Sequence, residues 1–263
     1  MATASVVRVK SWLELQRELF EDSYSPGLRM WRSPYAYRGL ADVRFTLKNS
    51  LTRMGRQYRT LEPSLVRSFR KYAPQALQEQ GSEWQWLSLA QHHGLPTRLL
   101  DWTWSPQVAA HFATSETDHY DADGAIWGVN VVAVRDALPQ EMLKILKGTA
   151  YVFDVNMLSK AARDLKQFDA KWKRKFVAFF EPPSIDSRIV NQYALFSVMN
   201  DPNLELDQWL ESRPDFYRKI VIPAALKWEV RDKLDQMNLN ERVLFPGLDG
   251  LSAWLKRNYM ARD

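Results

Sequence analysis

The segment LSLAQHHGLPTRLLDWTWSPQVAAHFA, residues 87–113, sets two adjacent histidines, an arginine, an aspartate and a threonine among residues that otherwise build a core. Polar groups gathered beside apolar surface commonly line a site. A second segment, Tyr37-Arg38-Gly39, closes a short apolar run. An arginine there can form a bidentate bond to a phosphate, and the glycine lets a ligand approach the backbone. Together the two segments suggest a pocket for a phosphate-bearing ligand; the competing reading of Arg38 is an ion pair with a structural carboxylate at a turn.

The remaining polar residues narrow the chemistry. Gln91, His92 and His93 are consecutive, so on a helix they point about 100° apart and cannot all face one ligand. Histidine spacing of three or four, which a zinc site wants, is not supplied by His92 or His93 with His111 or His119, so metal hydrolysis is disfavoured and no metal is expected. Arg98 and Asp101 are either a buried ion pair or part of the site, because charges flanked by leucine and tryptophan must be paired. The Thr103 hydroxyl, just before the Ser105-Pro106 helix start, can orient an arginine or bond a ribose, and the helix N-terminus favours anions. Glu181 ends the apolar run FVAFFEPP and Gln192 lies in RIVNQYALFSV, so each can project one polar group from a sheet into a cleft. The basic run KWKRK, residues 171–175, reads as a solvated helix face or as a nucleic-acid contact.

Composition sets the frame. The 263 residues are 46% hydrophobic with 36 Lys and Arg against 31 Asp and Glu, a formal charge of +5. That length and apolar content suit a packed globular chain, and the modest basic surplus favours an anionic partner. Cysteine is absent from the sequence, which removes disulfides, thiolate metal sites and thiol nucleophiles. With no apolar run long enough to span a bilayer and no apolar leader, a soluble cytoplasmic protein without membrane contact is expected.

Several elements must position these groups. Ser11 caps a helix over 12–20 that ends at the Ser25-Pro26-Gly27 turn, and short strands are predicted over 36–40 and 44–47. Thr60 caps a helix over 61–78; Ser82 and Gln85 form a capping box for the next, which Gly94 closes, placing the histidine pair on its last turn. The Ser105-Pro106 pair starts a further helix. Beyond it, strands are predicted over 124–134, 176–180, 189–199, 217–222 and 243–245, and helices over 139–146, 155–168, 224–237 and 248–259. No linker or repeat divides the chain, so one α+β domain over 1–263 is expected, with 1–30 as an N-terminal helical extension.

The string Tyr37-Arg38-Gly39, the run from Gln91 to Thr103, the helix from Pro106, RIVNQYALF and LFPGLDGL resemble the FRG-domain family from about residue 30 to the C-terminus. That family is distantly similar to ADP-ribosyltransferases, which hold NAD in a cleft between two small sheets. The resemblance implies an ADP-ribosyltransferase-like α+β fold of two small mixed sheets with decorating helices. It further implies NAD as co-substrate: Arg38 on the diphosphate, Gly39 presenting backbone to the nicotinamide amide, and Arg98, Thr103 and Gln192 as cofactor contacts. The family of transferases carries a glutamate where this chain has Gln192. Cleaving the nicotinamide bond creates an oxocarbenium-like centre that a carboxylate stabilises, so Glu181 or Asp101 is expected to replace it, with His92 or His93 assisting the acceptor.

The implied activity is mono-ADP-ribosylation of a macromolecule, with RNA or DNA as the acceptor suggested by the basic balance. The bacterial and phage setting of the family implies a toxin or defence effector held by an antitoxin or inhibitor protein. The alternatives are a non-catalytic module for a nucleotide or nucleic acid and a metal-independent ribonuclease using His92 or His93.

Overall fold

The structure is a computed structural model that describes residues 5–55, 58–74, 81–146, 150–184 and 186–261. Ten strands are present among these residues: β1 (Ser5–Arg8), β2 (Tyr24–Ser25), β3 (Met30–Trp31), β4 (Tyr35–Leu40), β5 (Leu100–Thr103), β6 (Gly124–Asn130), β7 (Phe153–Asp154), β8 (Val177–Glu181), β9 (Ala194–Met199) and β10 (Tyr217–Ile222). Eight form one mixed sheet in the order β1-β10-β6-β4-β5-β9-β8-β7, and β2-β3 form a small separate hairpin. The helices are α1 (Trp12–Phe20), α2 (Ser50–Arg53), α3 (Tyr58–Tyr72), α4 (Glu83–His92), α5 (Pro106–Thr114), α6 (Val131–Asp136), α7 (Gln140–Leu143), α8 (Val155–Ala161), α9 (Leu165–Lys171), α10 (Ser187–Asn191), α11 (Leu206–Glu211), α12 (Lys227–Gln236), α13 (Glu241–Leu244) and α14 (Leu248–Asn258).

The sheet is hydrogen-bonded throughout, which differs from the expected pair of small sheets, yet it is nearly cut in two. Strand β4 pairs with β6 over six residues but with β5 only at Tyr37 and Thr103. Two four-stranded halves therefore meet at a seam. Alternation along the strands puts one set of apolar side chains, including Ala36, Trp102, Trp127, Phe179 and Leu195, into a core spanning both halves, against which Trp209 of α11 packs. The opposite face carries two separate cores: Tyr37, Ala109, Ile126 and Ile220 on the β4 side, Trp84, Phe168, Phe180 and Val198 on the β5 side. A cleft opens where the halves part.

Local chemistry explains the helices that flank it. Ser82 and Gln85 form the expected reciprocal capping box on α4, which stops at His93 with Gly94 in the left-handed region at φ 79°. Ser105 Oγ caps α5 by accepting from the Val108 N–H at 3.3 Å, with Pro106 in the first turn. Two glycines let α5 lie directly on the sheet. A Cβ on Gly39 would stand 1.9 Å from the Ala109 carbonyl oxygen, and one on Gly124 would stand 2.6 Å from that of Ala113. Gly39 is thus required by the helix above it, whatever approaches its other side.

Several expectations are corrected. Residues 44–47 form no strand, and the predicted 124–134 strand turns into α6 at Asn130, whose side chain accepts from the N–H groups of Val132 and Ala133. The predicted 189–199 strand begins as α10 and reverses through Tyr193 at φ 47° before β9. The 155–168 helix breaks at Ala162, because Asp164 caps a fresh start at α9, and the predicted 243–245 strand is the end of α13, which Asn240 caps at its start and Phe245 follows. Helix α3 is already formed at Tyr58, upstream of Thr60, and residues 75–78 of its predicted end lie outside the described residues. The first thirty residues are no appendage: β1 pairs with β10, and α1 buries Leu15 and Leu19 in the core.

Candidate functional site

A cavity of about 550 Å³ occupies the seam, lined from β4, β5, α4, the end of α5 and the α10–β9 turn. That is the size of a small-molecule site. Its walls include Phe45, Leu95, Trp102, Phe112, Ile189 and Phe196; its charges are Arg38, Arg53 and Arg188 against Asp101 and Glu116. Arg38 and Thr103, the two groups on which the sequence reading turned, face the same cavity.

Arg38 follows Tyr37, the residue at which β4 pairs with β5. Its Nη1 donates to the Asp101 main-chain oxygen at 2.7 Å and lies 3.8 Å from the Asp101 carboxylate. The guanidinium thus satisfies a carbonyl that the interrupted ladder leaves open. Its Nε is buried with no partner. Burial, reinforced by Arg53 and opposed by Asp101, holds its pKa below the ordinary arginine value. Arg188 repeats the pattern: Nη1 donates to the His92 main-chain oxygen at 3.3 Å, the guanidinium stacks 4.7 Å from the Phe245 ring centre, and the buried Nε has no partner. With Arg53, these two cations give the cavity a positive wall suited to an anionic ligand.

Asp101 is oriented by Gln91, whose amide Nε2 donates to its carboxylate at 2.9 Å while its Oε1 accepts from the Thr97 hydroxyl. The two neighbouring histidines separate, as helical geometry requires. His92 faces the cavity with its Nε2 2.5 Å from the Asp186 carboxylate, whereas exposed His93 lies outside the cavity lining and packs 6.5 Å from Phe69. Burial works against the Asp186 charge, but the Ile189 and Arg188 N–H groups and the His92 ring outweigh it and hold its pKa below the usual range.

Three expected site residues have structural duties instead. Thr103 lines the cavity, but its hydroxyl donates to the Gln192 carbonyl at 2.7 Å and accepts from the Ser105 N–H at 3.0 Å. It fastens β5 to the α10–β9 turn and has no proton left for a ribose. Gln192 also lines the cavity, with its amide donating to the Leu244 main-chain oxygen at 2.9 Å. Arg98 turns away into a second recess, where it binds Glu62 through Nε and Nη2 and Asp169 through Nη1 at 2.5 Å. It pairs with neither Asp101 nor the main cavity. Burial opposes its charge, and the two carboxylates more than compensate, raising its pKa. Glu181 is exposed at the end of β8 and is not part of the cavity lining. The end of α5 nearest the cavity is its C-terminus, through Phe112 and the following Glu116, and not the anion-favouring start.

Arg53 and Arg188 were missed by sequence reasoning. Arg53 sits in an unremarked short helix, while Arg188 falls within a run read as strand; the Asp186-Ser187-Arg188 cap signal was the one available clue.

Residues 33–122 match the family model of the FRG domain. The chain is similar to the FRG domain over that segment, which is narrower than the expected span from residue 30 to the end: the matched residues include β4, α4, β5 and α5, while α10, the α10–β9 turn and α13 lie beyond them. No curated protein and no solved structure matches the chain. Among the described residues there is no cluster of three or more His, Asp or Glu suited to a metal ion, and no helix long and apolar enough to cross a membrane.

Proposed function

We propose that the seam cavity binds NAD and that the protein transfers ADP-ribose from it to a macromolecular acceptor. The supporting observation is that three arginines, Arg38, Arg53 and Arg188, line one cavity against two carboxylates, Asp101 and Glu116. Arg38, with Arg53 and Arg188, takes the diphosphate; Phe45 and Phe112 offer ring faces to the flat groups of the ligand. In the reaction the C1′–N glycosidic bond breaks and nicotinamide leaves with the electron pair. An acceptor oxygen or nitrogen bonds to C1′ and releases its proton.

Asp101 is the carboxylate for the positive C1′ centre, since Glu181 lies outside the cavity lining and Gln192 is neutral. His92, backed by Asp186, takes the acceptor proton, the Asp–His hydrogen bond fixing its tautomer. The test is incubation with labelled NAD and mixed protein, RNA and DNA acceptors. Label on one acceptor class, lost in Asp101→Asn, supports transfer.

A second reading has its own support. The position where the transferases carry glutamate here holds an amide bonded to main chain, which fits a module that binds the nucleotide without cleaving it. NAD binding with no nicotinamide release under any acceptor would favour that reading.

A further inference from the structure

We propose that the β2–β3 hairpin is a landing arm for a single-stranded nucleic acid, which deepens the reading above by naming the acceptor class. The arm exposes four large apolar side chains within eight residues: Tyr24 at 49%, Leu28 at 63%, Met30 at 48% and Trp31 at 69%. Tyr24 and Trp31 pair with ring centres 5.5 Å apart, tilted by 58°. Exposed Arg29 and Arg32 flank them, and neither forms an ion pair among the described residues.

The arm is also held in place. Ser25 and Met30 pair across it, the Leu28 N–H donates to the Ser25 carbonyl at 3.2 Å, and the Arg32 N–H donates to the Ser23 carbonyl at 2.5 Å. Arg29 sits in the left-handed region at φ 53°, a conformation that turns the chain tightly. Ser33 Oγ and the Tyr37 hydroxyl, 2.7 Å apart, then tie the arm to β4. Arg38 follows Trp31 by seven residues, a reach of at most about 25 Å for extended chain.

Open aromatic faces beside unpaired guanidinium groups match the two halves of a nucleotide strand: bases stack on the rings and phosphates meet the cations. A purely apolar partner would bury Arg29 and Arg32 without counter-charge. The surplus of +5 over the whole chain has the same sign.

The test uses the full chain and fluorescein-labelled 12-nucleotide RNA and DNA of mixed sequence, read by anisotropy at 50 and 200 mM salt. Trp31→Ala is expected to weaken binding by roughly 5- to 150-fold, the equivalent of one lost base stack. Arg29→Ala with Arg32→Ala is expected to flatten the logarithmic salt slope by about 1.4. NAD affinity, measured by calorimetry on the same variants, stays unchanged. Absence of oligonucleotide binding by the wild type, or equal binding by Trp31→Ala, overturns the proposal; so does a loss of NAD affinity with oligonucleotide binding intact. Oligonucleotide binding that depends on the arm, without ADP-ribose transfer, supports the arm and counts against the transferase reading alone.

Discussion

Removing Arg38 and removing Arg98 should have opposite consequences, although both are largely buried arginines. Arg38→Met deletes one charge-assisted hydrogen bond to the Asp101 carbonyl, worth about 1.5–3 kcal/mol. It also deletes an attraction to the Asp101 carboxylate of about 1 kcal/mol, because that group is 59% exposed and screened by water. Against these losses, it removes a cation that is costly to bury and that Arg53 repels. The net change in folding stability should stay within about 2 kcal/mol. Ligand binding should suffer far more, since a hydrogen-bonded ion pair to phosphate is lost: about 2–5 kcal/mol, or roughly 30- to 4,000-fold in Kd. Arg98→Met reverses the pattern. It strands Glu62 and Asp169, 3% and 26% exposed, and should cost about 3–5 kcal/mol of stability. Calorimetric titration with ADP-ribose, beside urea unfolding of each variant, separates the two effects. A destabilised Arg38→Met with unchanged ligand affinity would refute the division of roles.

Gly39→Ala should cost at least about 3 kcal/mol by urea unfolding, because its Cβ would press into the main chain of α5; retention of wild-type stability would mean that α5 shifts freely. Gln192→Glu should cost about 1–3 kcal/mol, since a carboxylate cannot donate to the Leu244 carbonyl, and an unchanged unfolding midpoint would show that the amide is not held there. His111 is buried, and burial followed by the Arg231 charge lowers its pKa from 6.5 to about 3. Between those values the unfolded chain binds the proton and the folded chain does not, so stability falls with falling pH by up to about 1.4 kcal/mol per unit. His111→Gln, which keeps an acceptor for Arg231, should flatten that slope in unfolding experiments between pH 7 and 5.

The parts of the site that were legible in the sequence are those whose signals are local. The capping box at Ser82 and Gln85, and Pro106 behind Ser105, announce two helix starts through side chains that bond their own backbone. The first placed Gln91 and His92 near the end of α4, whereas β5, which carries Asp101, was not foreseen. Duties set by distant partners were not readable. Nothing near Arg98 in sequence names Glu62 or Asp169, and the Thr103 hydroxyl engages Gln192, 89 residues away. Apolar runs misled where a cap interrupts them: Asn130 turns a strand into α6, and Asp186 starts α10 inside a run that reads as β. Gly39 was singled out for the approach of a ligand, whereas the backbone that approaches it belongs to α5. The seam itself depends on β4 and β5 pairing at a single position, a long-range fact that strand propensity does not carry.

The most direct test of the central claim is a crystal structure with ADP-ribose bound. The account predicts diphosphate oxygens within about 3.2 Å of guanidinium nitrogens of both Arg38 and Arg188, in the seam between β4 and β5. A ligand seated beside Arg98 instead, or one whose phosphates touch neither guanidinium, would contradict it.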